Sequence, residues 1–199
     1  MKYAIIGSGN IGTALARAFA RQNVQVAIAN TRGPASLAAL ARELAANVVP
    51  QSLREAFEAE MIFLAVPFSA HKDVAQQREE WSGKIIVDTT NTLDIRPEEL
   101  RGRLSSESVS EAFVGARLVK AFNHLPAKQL GTNPSSPRER QAIFLSSNDS
   151  DASTTVAALV TALGFAPVEL GRLDQGGVPL HVVGGQPGGL LFQNLAKHG

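Results

Sequence analysis

Nothing in the sequence restricts the fold more than its first twelve residues, Met1-Lys-Tyr-Ala-Ile-Ile-Gly-Ser-Gly-Asn-Ile-Gly12. Tyr3 to Ile6 is an apolar run of strand length that stops at Gly7. Gly7, Gly9 and Gly12 have G-x-G-x-x-G spacing. From Asn10 onward the apolar residues Ile11, Leu15 and Phe19 recur four apart, which is helical period. Strand, glycine turn and helix is the order that a dinucleotide site requires. Gly7 permits the tight turn, Gly9 lets backbone approach a pyrophosphate, and Gly12 lets helix and strand pack closely. The helix start then offers unpaired N–H groups to the phosphate charge. An ordinary glycine-rich turn shares the spacing, but the strand before it and the amphipathic helix after it favour dinucleotide binding.

The rest of the chain continues the alternation. Residues 24–29 predict a second strand closed by Asn30-Thr-Arg-Gly-Pro34. Leu37, Leu40 and Leu44 mark the next helix, with Pro34 suited to its first turn. Further strands are predicted at 47–49, 61–66, 84–88, 117–122, 141–145 and 166–170. The run at 61–66 is apolar throughout, as a parallel sheet covered on both faces demands. Helices are predicted around Leu53 and Phe57, at 69–80, near 108–113, through Val156 to Leu163 with Gly164 as C-cap, and near 190–197. Residues 131–138 read as an exposed loop, and seven glycines between Gly171 and Gly189 predict an irregular tail. Right-handed crossovers then give a doubly wound parallel α/β sheet of Rossmann type, with the cofactor at the carboxyl ends of the first and fourth strands. With no repeat or linker, residues 1–199 are expected to form one domain. Residues 1–120 would be the dinucleotide-binding core, and 121–199 would complete the sheet and acceptor pocket as a short C-terminal extension.

Composition removes several functional classes. Lys and Arg number 19 against 18 Asp and Glu, a net charge of +1, so nothing argues for nucleic acid or an anionic membrane as partner. The absence of cysteine excludes disulfides, thiol nucleophiles and thiolate metal sites. With no charged leader before the first strand and no apolar run near ~20 residues, a cytoplasmic protein is expected. A homodimer is left open.

The end of the second strand bears on which dinucleotide is bound. NAD-specific sites place Asp or Glu about twenty residues past the motif, on the ribose 2′-hydroxyl. Here that place is Asn30-Thr31-Arg32, with no carboxylate. A hydroxyl donor and a guanidinium suit a 2′-phosphate that an acid would repel, so NADP is the expected cofactor.

Ala4-Ile-Ile-Gly-Ser-Gly-Asn-Ile-Gly12, Asn30-Thr-Arg32, Leu64-Ala-Val-Pro67, Asp88-Thr-Thr-Asn91 and Val119-Lys-Ala-Phe-Asn123 resemble, in order, the F420-dependent NADP oxidoreductases. The N-terminal reductase domain of the membrane ferric reductases is similar, and the likeness runs on through Leu163-Gly-Phe165 and Glu169-Leu-Gly171 into the tail. The resemblance implies that Ser8, Gly9, Asn10 and Ile11 line the pyrophosphate and that Thr31 and Arg32 hold the 2′-phosphate. It also implies that Ala65, Val66 and Pro67 lie along the cofactor, with Asn91 on the nicotinamide side. Phe122 and Asn123 would border the acceptor pocket, and His124 is the histidine beside it. Three stretches depart from the family: Gly33-Pro-Ala-Ser36 brings no further base, Thr92 stands where proline is common, and the pocket segment reads Asn123-His-Leu-Pro126, which leaves room for an acceptor other than F420.

The chemistry needs little from the protein. Oxidising an alcohol calls for His, Lys or Tyr to take the hydroxyl proton, whereas a flavin or deazaflavin ring accepts hydride and spreads its charge. The expected acceptor is therefore F420 or a flavin, and the expected catalysis is orientation, with no catalytic acid or base assigned. His71 reads as a surface helix residue, His198 as solvated and His181 as isolated. Lys120 reads as a strand-end lysine that snorkels to solvent, and Trp81 and Phe68 read as packing. Two alternatives stand beside this reading: a redox sensor that binds NADP without turnover, and an NADPH-dependent flavin or ferric reductase.

Overall fold

Successive side chains of a strand point to opposite faces, so Ile5 and Ile6 of the first strand, β1 (Tyr3–Ile6), enter two separate cores. In this computed structural model, which describes residues 1–132 and 140–181, a single sheet divides those cores. Its other strands are β2 (Val26–Ala29), β3 (Val48–Pro50), β4 (Met61–Leu64), β5 (Ile85–Asp88), β6 (Arg117–Ala121), β7 (Ala142–Ser147) and β8 (Ala166–Glu169). They lie in the order β3-β2-β1-β4-β5-β6-β7-β8. β4 and β5 are buried at every position, which is why the sequence shows them as continuous apolar runs.

Helix α1 (Asn10–Arg21) sets Leu15 and Phe19 on one face of the sheet. Helix α7 (Ser150–Ala162) adds Val156 and Val160 to the same core. The Phe19 ring meets Phe63 edge-on at 5.5 Å between centroids. On the other face Trp81 lies between Phe57 and Phe113, and its indole N–H donates to the Ala75 carbonyl at 3.0 Å. Burying each such ring contributes about 1.5–3 kcal/mol. Both Trp81 and Phe68 are packing residues, as expected. The remaining helices are α2 (Ala38–Leu44), α3 (Leu53–Ala56), α4 (His71–Ala75), α5 (Ser105–Ala112) and α6 (Ala127–Gly131). Among the described residues no helix is long and apolar enough to cross a membrane.

Four expectations need correction. The sheet is only mostly parallel, because β7 runs antiparallel to β6, with Lys120 opposite Ser146. Among the described residues the connection between them carries only the short helix α6, which packs against α1, and β7 starts at the carboxyl edge, where Leu145 lies opposite Ala121. The helix expected at 69–80 is one 3-10 turn, Phe68–Ala70, followed by the five residues of α4. His71 is not a surface residue: it is buried, and its Nδ1–H donates to the Phe68 carbonyl. Lys120 does not snorkel, because Asp88 lies directly opposite on β5 and neutralises it inside the protein. The loop expected at 131–138 falls mostly, and the helix near 190–197 and His198 entirely, outside the described residues.

Candidate functional site

Strand register gathers the candidate residues at one edge. Ile6, Leu64, Asp88 and Lys120 are cross-strand neighbours at the last or next-to-last positions of their strands. Gly7, Ala65 and Thr89 follow at the carboxyl edge, and the segments that leave it carry the predicted site. Gly7 has a φ of +108°, and a Cβ there would be driven into the Ala65 carbonyl oxygen; at Gly12 a Cβ would strike the Gly7 carbonyl. Gly9 differs, since a Cβ there would meet nothing within 4 Å. The protein's own backbone thus explains two glycines of the motif, while the third faces open space. Gly9 is the N-cap of α1, with no side-chain capping bond among the described residues and no acid in the first turn. The N–H groups of Asn10, Ile11 and Gly12 therefore begin the helix as free donors toward an anion.

Beside this loop, the end of β2 forms a hydrogen-bonded cluster. The Asn30 amide donates to Ser8 Oγ at 2.8 Å and to Ser36 Oγ at 3.1 Å, and its Oδ1 accepts the Arg32 backbone N–H at 2.9 Å. The Arg32 guanidinium reaches Ser8 Oγ at 3.4 Å, and Ser36 Oγ donates to the Gly33 carbonyl at 2.7 Å. Thr31 and Arg32 are exposed. Among the described residues no carboxylate pairs with Arg32. Sequence reasoning missed Ser36. The available signal was Gly33-Pro34, which turns the chain back so that its hydroxyl reaches Asn30. Ala65 and Val66 are half-buried and Pro67 exposed along the same edge.

The opposite end of the edge is buried. Lys120 Nζ donates to Asp88 Oδ2 at 2.9 Å and to the Thr90 carbonyl at 3.1 Å, with the two charged side chains 1% and 0% exposed. Asp88 Oδ1 accepts both the Thr90 N–H, at 2.9 Å, and its hydroxyl, at 2.7 Å. Burial pushes the Asp88 carboxyl up, but the Lys120 charge and these hydrogen bonds outweigh it and hold it below its ordinary range. The clamped turn presents Asn91, whose Nδ2 donates to the Asn123 carbonyl at 2.8 Å. Asn123 Nδ2 returns a bond to Asn91 Oδ1 at 2.9 Å and makes another to the Leu180 carbonyl at 2.7 Å. Asn123 Oδ1 is buried without a partner among the described residues.

The three predicted acceptor residues are placed differently. Only the Asn123 amide joins Asn91. The Phe122 ring is wholly buried between Phe63 and Phe165, while its backbone turns at a φ of 65°. His124 is buried edge-on to Phe144, with Nε2 on the Ala142 carbonyl at 3.2 Å; burial lowers its pKa, partly opposed by that bond. The tail was expected to reach this end, and Leu180 does so through its bond from Asn123, but the sequence singled out neither Leu180 nor His181 within it.

A model of the family described as NADP oxidoreductase, coenzyme F420-dependent, matches residues 2–92, which contain the glycine loop, the Asn30 cluster and Asn91. The N-terminal part of the chain thus resembles that family. A solved structure of a hypothetical protein from Sinorhizobium meliloti is 44% identical, with a TM-score of 0.87 over 92% of this chain and 91% of that one. A putative F420-dependent NADP-reductase from an Arthrobacter species shares the fold at 24% identity and a TM-score of 0.68, over 87% of this chain and 86% of that one. Among curated relatives, metalloreductase STEAP3 of Rattus norvegicus is 29% identical over 174 residues, 86% of this chain and 34% of the relative. The chain thus spans about a third of the length of the curated relatives it matches.

Proposed function

We propose that this chain is a member of the F420-dependent NADP oxidoreductase family, binds NADP(H) along the carboxyl edge and passes hydride to a flavin or F420 ring. The observation that carries the cofactor choice is the exposed Asn30–Ser8–Arg32–Ser36 cluster, donor-rich and without a carboxylate. The open space above Gly9 fits a pyrophosphate, with the α1 donors facing it. Thr31 and Arg32 would hold the 2′-phosphate; Ala65, Val66 and Pro67 would flank the cofactor. The unpartnered Asn123 Oδ1 suits a carboxamide N–H at the nicotinamide end. When bound, NADPH supplies the hydride, and these residues hold it in orientation beside the acceptor.

The likeness to the metalloreductases favours a second reading: reduction of a free flavin or a ferric complex by the same cofactor site. Anaerobic NADPH oxidation against F420, FMN, FAD and ferric chelates separates the readings. Turnover with F420 or a flavin supports the first, and turnover confined to flavin-dependent ferric reduction supports the second. Tight NADPH binding without oxidation by any of them would mark a redox sensor.

A further inference from the structure

We propose that His181 is a positioning residue for the cofactor cleft. Clasped by the Ser105 and Ser106 hydroxyls, it pins Leu180, whose carbonyl fixes the Asn123–Asn91 amide pair at the nicotinamide end. This inference rests on the NADP reading of that cleft. The His181 side chain is 4% exposed, its Nδ1 lies 3.0 Å from Ser105 Oγ, and its Nε2 lies 3.3 Å from Ser106 Oγ. A neutral imidazole has one donor and one acceptor nitrogen, and a hydroxyl can serve either, so both bonds are satisfied together. Both serines are buried in the first turn of α5. The ring therefore ties residues 180–181 to a helix distant in sequence.

The neighbouring residue transmits the hold. Leu180 is 1% exposed, and its carbonyl accepts the 2.7 Å bond from Asn123 Nδ2. The other N–H of that amide goes to Asn91 Oδ1. Both protons of Asn123 are thus committed, and the orientation of the pair depends on where Leu180 stands. Upstream, the Leu173 N–H donates to Asn148 Oδ1 at 3.1 Å, whereas His181 is the side-chain anchor next to Leu180 itself.

Charge makes the hold sensitive to acid. Burial first, and then the Lys120 ammonium on β6, push His181 down to about 4, against smaller opposing pulls from Asp88 on β5 and the Leu173 carbonyl. The docked segment therefore prefers the neutral ring. Its docking is whole above the ordinary imidazole value of 6.5, weakens roughly tenfold per pH unit below it, and loses this contribution near pH 4.

The test has two arms on the full chain. Amide hydrogen exchange of residues 173–181, followed without cofactor from pH 7.5 to 5, should lose protection relative to the core strands by roughly tenfold per unit below about 6.5. His181→Gln keeps a hydrogen-bonding group that does not titrate, so it should restore protection and abolish that slope. By calorimetry at pH 7.5, His181→Phe should weaken NADPH about tenfold, the worth of one fixed hydrogen bond. It should leave 2′,5′-ADP, which lacks the nicotinamide half, unchanged. Flat exchange across pH in the unmutated protein overturns the proposal, as does a His181→Phe variant that weakens both ligands equally or neither. An unmutated protein that binds neither ligand overturns the cofactor reading instead, and the exchange arm still decides whether His181 holds the segment.

Discussion

The two ends of the carboxyl edge are built on opposite plans. The end at β2, where the adenosine half of the cofactor is proposed to lie, is largely exposed and local: Asn30, Arg32 and Ser36 lie within seven residues, and among the described residues their one distant side-chain partner is Ser8. The end at β5 and β6, where the nicotinamide is proposed to lie, is buried and assembled across the chain, with Asp88, Asn91, Lys120, Asn123 and Leu180 bonded over separations of about 30 to 57 residues. Exposed neutral bonds contribute little to folding, so the first cluster can be changed for specificity at small cost. A buried ion pair is different, because removing one partner strands the other charge in a low-dielectric interior. Recognition and folding are therefore separable at one end and merged at the other.

The largest expected effect lies at the merged end. Lys120→Met should lower stability by about 3–5 kcal/mol, because Asp88 would remain buried and uncompensated. Adding Asp88→Asn should recover much of that loss, although the Thr90 bonds to Asp88 would be altered. Urea denaturation of the two variants measures this. A Lys120→Met protein as stable as the parent would show that the pair is not isolated from water.

The glycine loop sharpens the contrast, because one motif holds both kinds of position. Gly9 has a φ of −73°, which any residue adopts, and open space in front of it. Gly9→Val should therefore leave stability within about 0.5 kcal/mol while weakening NADPH at least a hundredfold, roughly 2.7 kcal/mol. Gly12→Val should fail to fold normally, since its Cβ would be forced into the Gly7 carbonyl. Calorimetry alongside circular dichroism distinguishes the two. Retained binding in Gly9→Val would reduce the loop to a turn.

What could be read from the sequence follows the same division. The strands, the glycine loop and Asn30-Thr31-Arg32 are contiguous in the chain, so period and spacing reveal them. The buried network was hidden because its logic is cross-strand: nothing near Lys120 in sequence announces that Asp88 stands opposite on β5. The antiparallel turn into β7 was hidden for a similar reason, since an apolar strand carries no mark of its direction. Two glycines of the tail have local reasons of the same kind. Gly176 and Gly177 permit close approach to the Leu170 carbonyl and the Ser146 hydroxyl, where a Cβ would collide. Gly188 and Gly189 lie outside the described residues.

At the exposed end, Arg32→Ala tests whether charge decides the cofactor. Among the described residues the guanidinium has only Ser8 Oγ as a side-chain hydrogen-bond partner, at 3.4 Å, so its removal should leave the fold unchanged. NADPH should bind about 1.5–3 kcal/mol more weakly and NADH nearly as before, as paired titrations would show. Equal affinities for the two cofactors in the unmutated protein would remove the 2′-phosphate reading of this cluster.

The smallest effect is expected at Ser36, and it asks how far the cluster's order matters beyond its charge. Ser36 Oγ lies 3.1 Å from Asn30 Nδ2 and 3.2 Å from Asn30 Oδ1, and it is anchored by its 2.7 Å bond to the Gly33 carbonyl. It thus braces the amide that holds Ser8 on one side and the Arg32 backbone on the other. Ser36→Ala keeps every charge and frees that amide to turn. Because the bonds are exposed, water replaces the lost partner, and the cost should be about 0.5–1.5 kcal/mol in NADPH affinity, with little change in stability. The decisive comparison is with NADH. If both cofactors weaken alike, Ser36 shapes the loop around the adenosine they share. If only NADPH weakens, the hydroxyl acts on the 2′-phosphate, and the exposed end discriminates through ordered neutral donors as well as through Arg32.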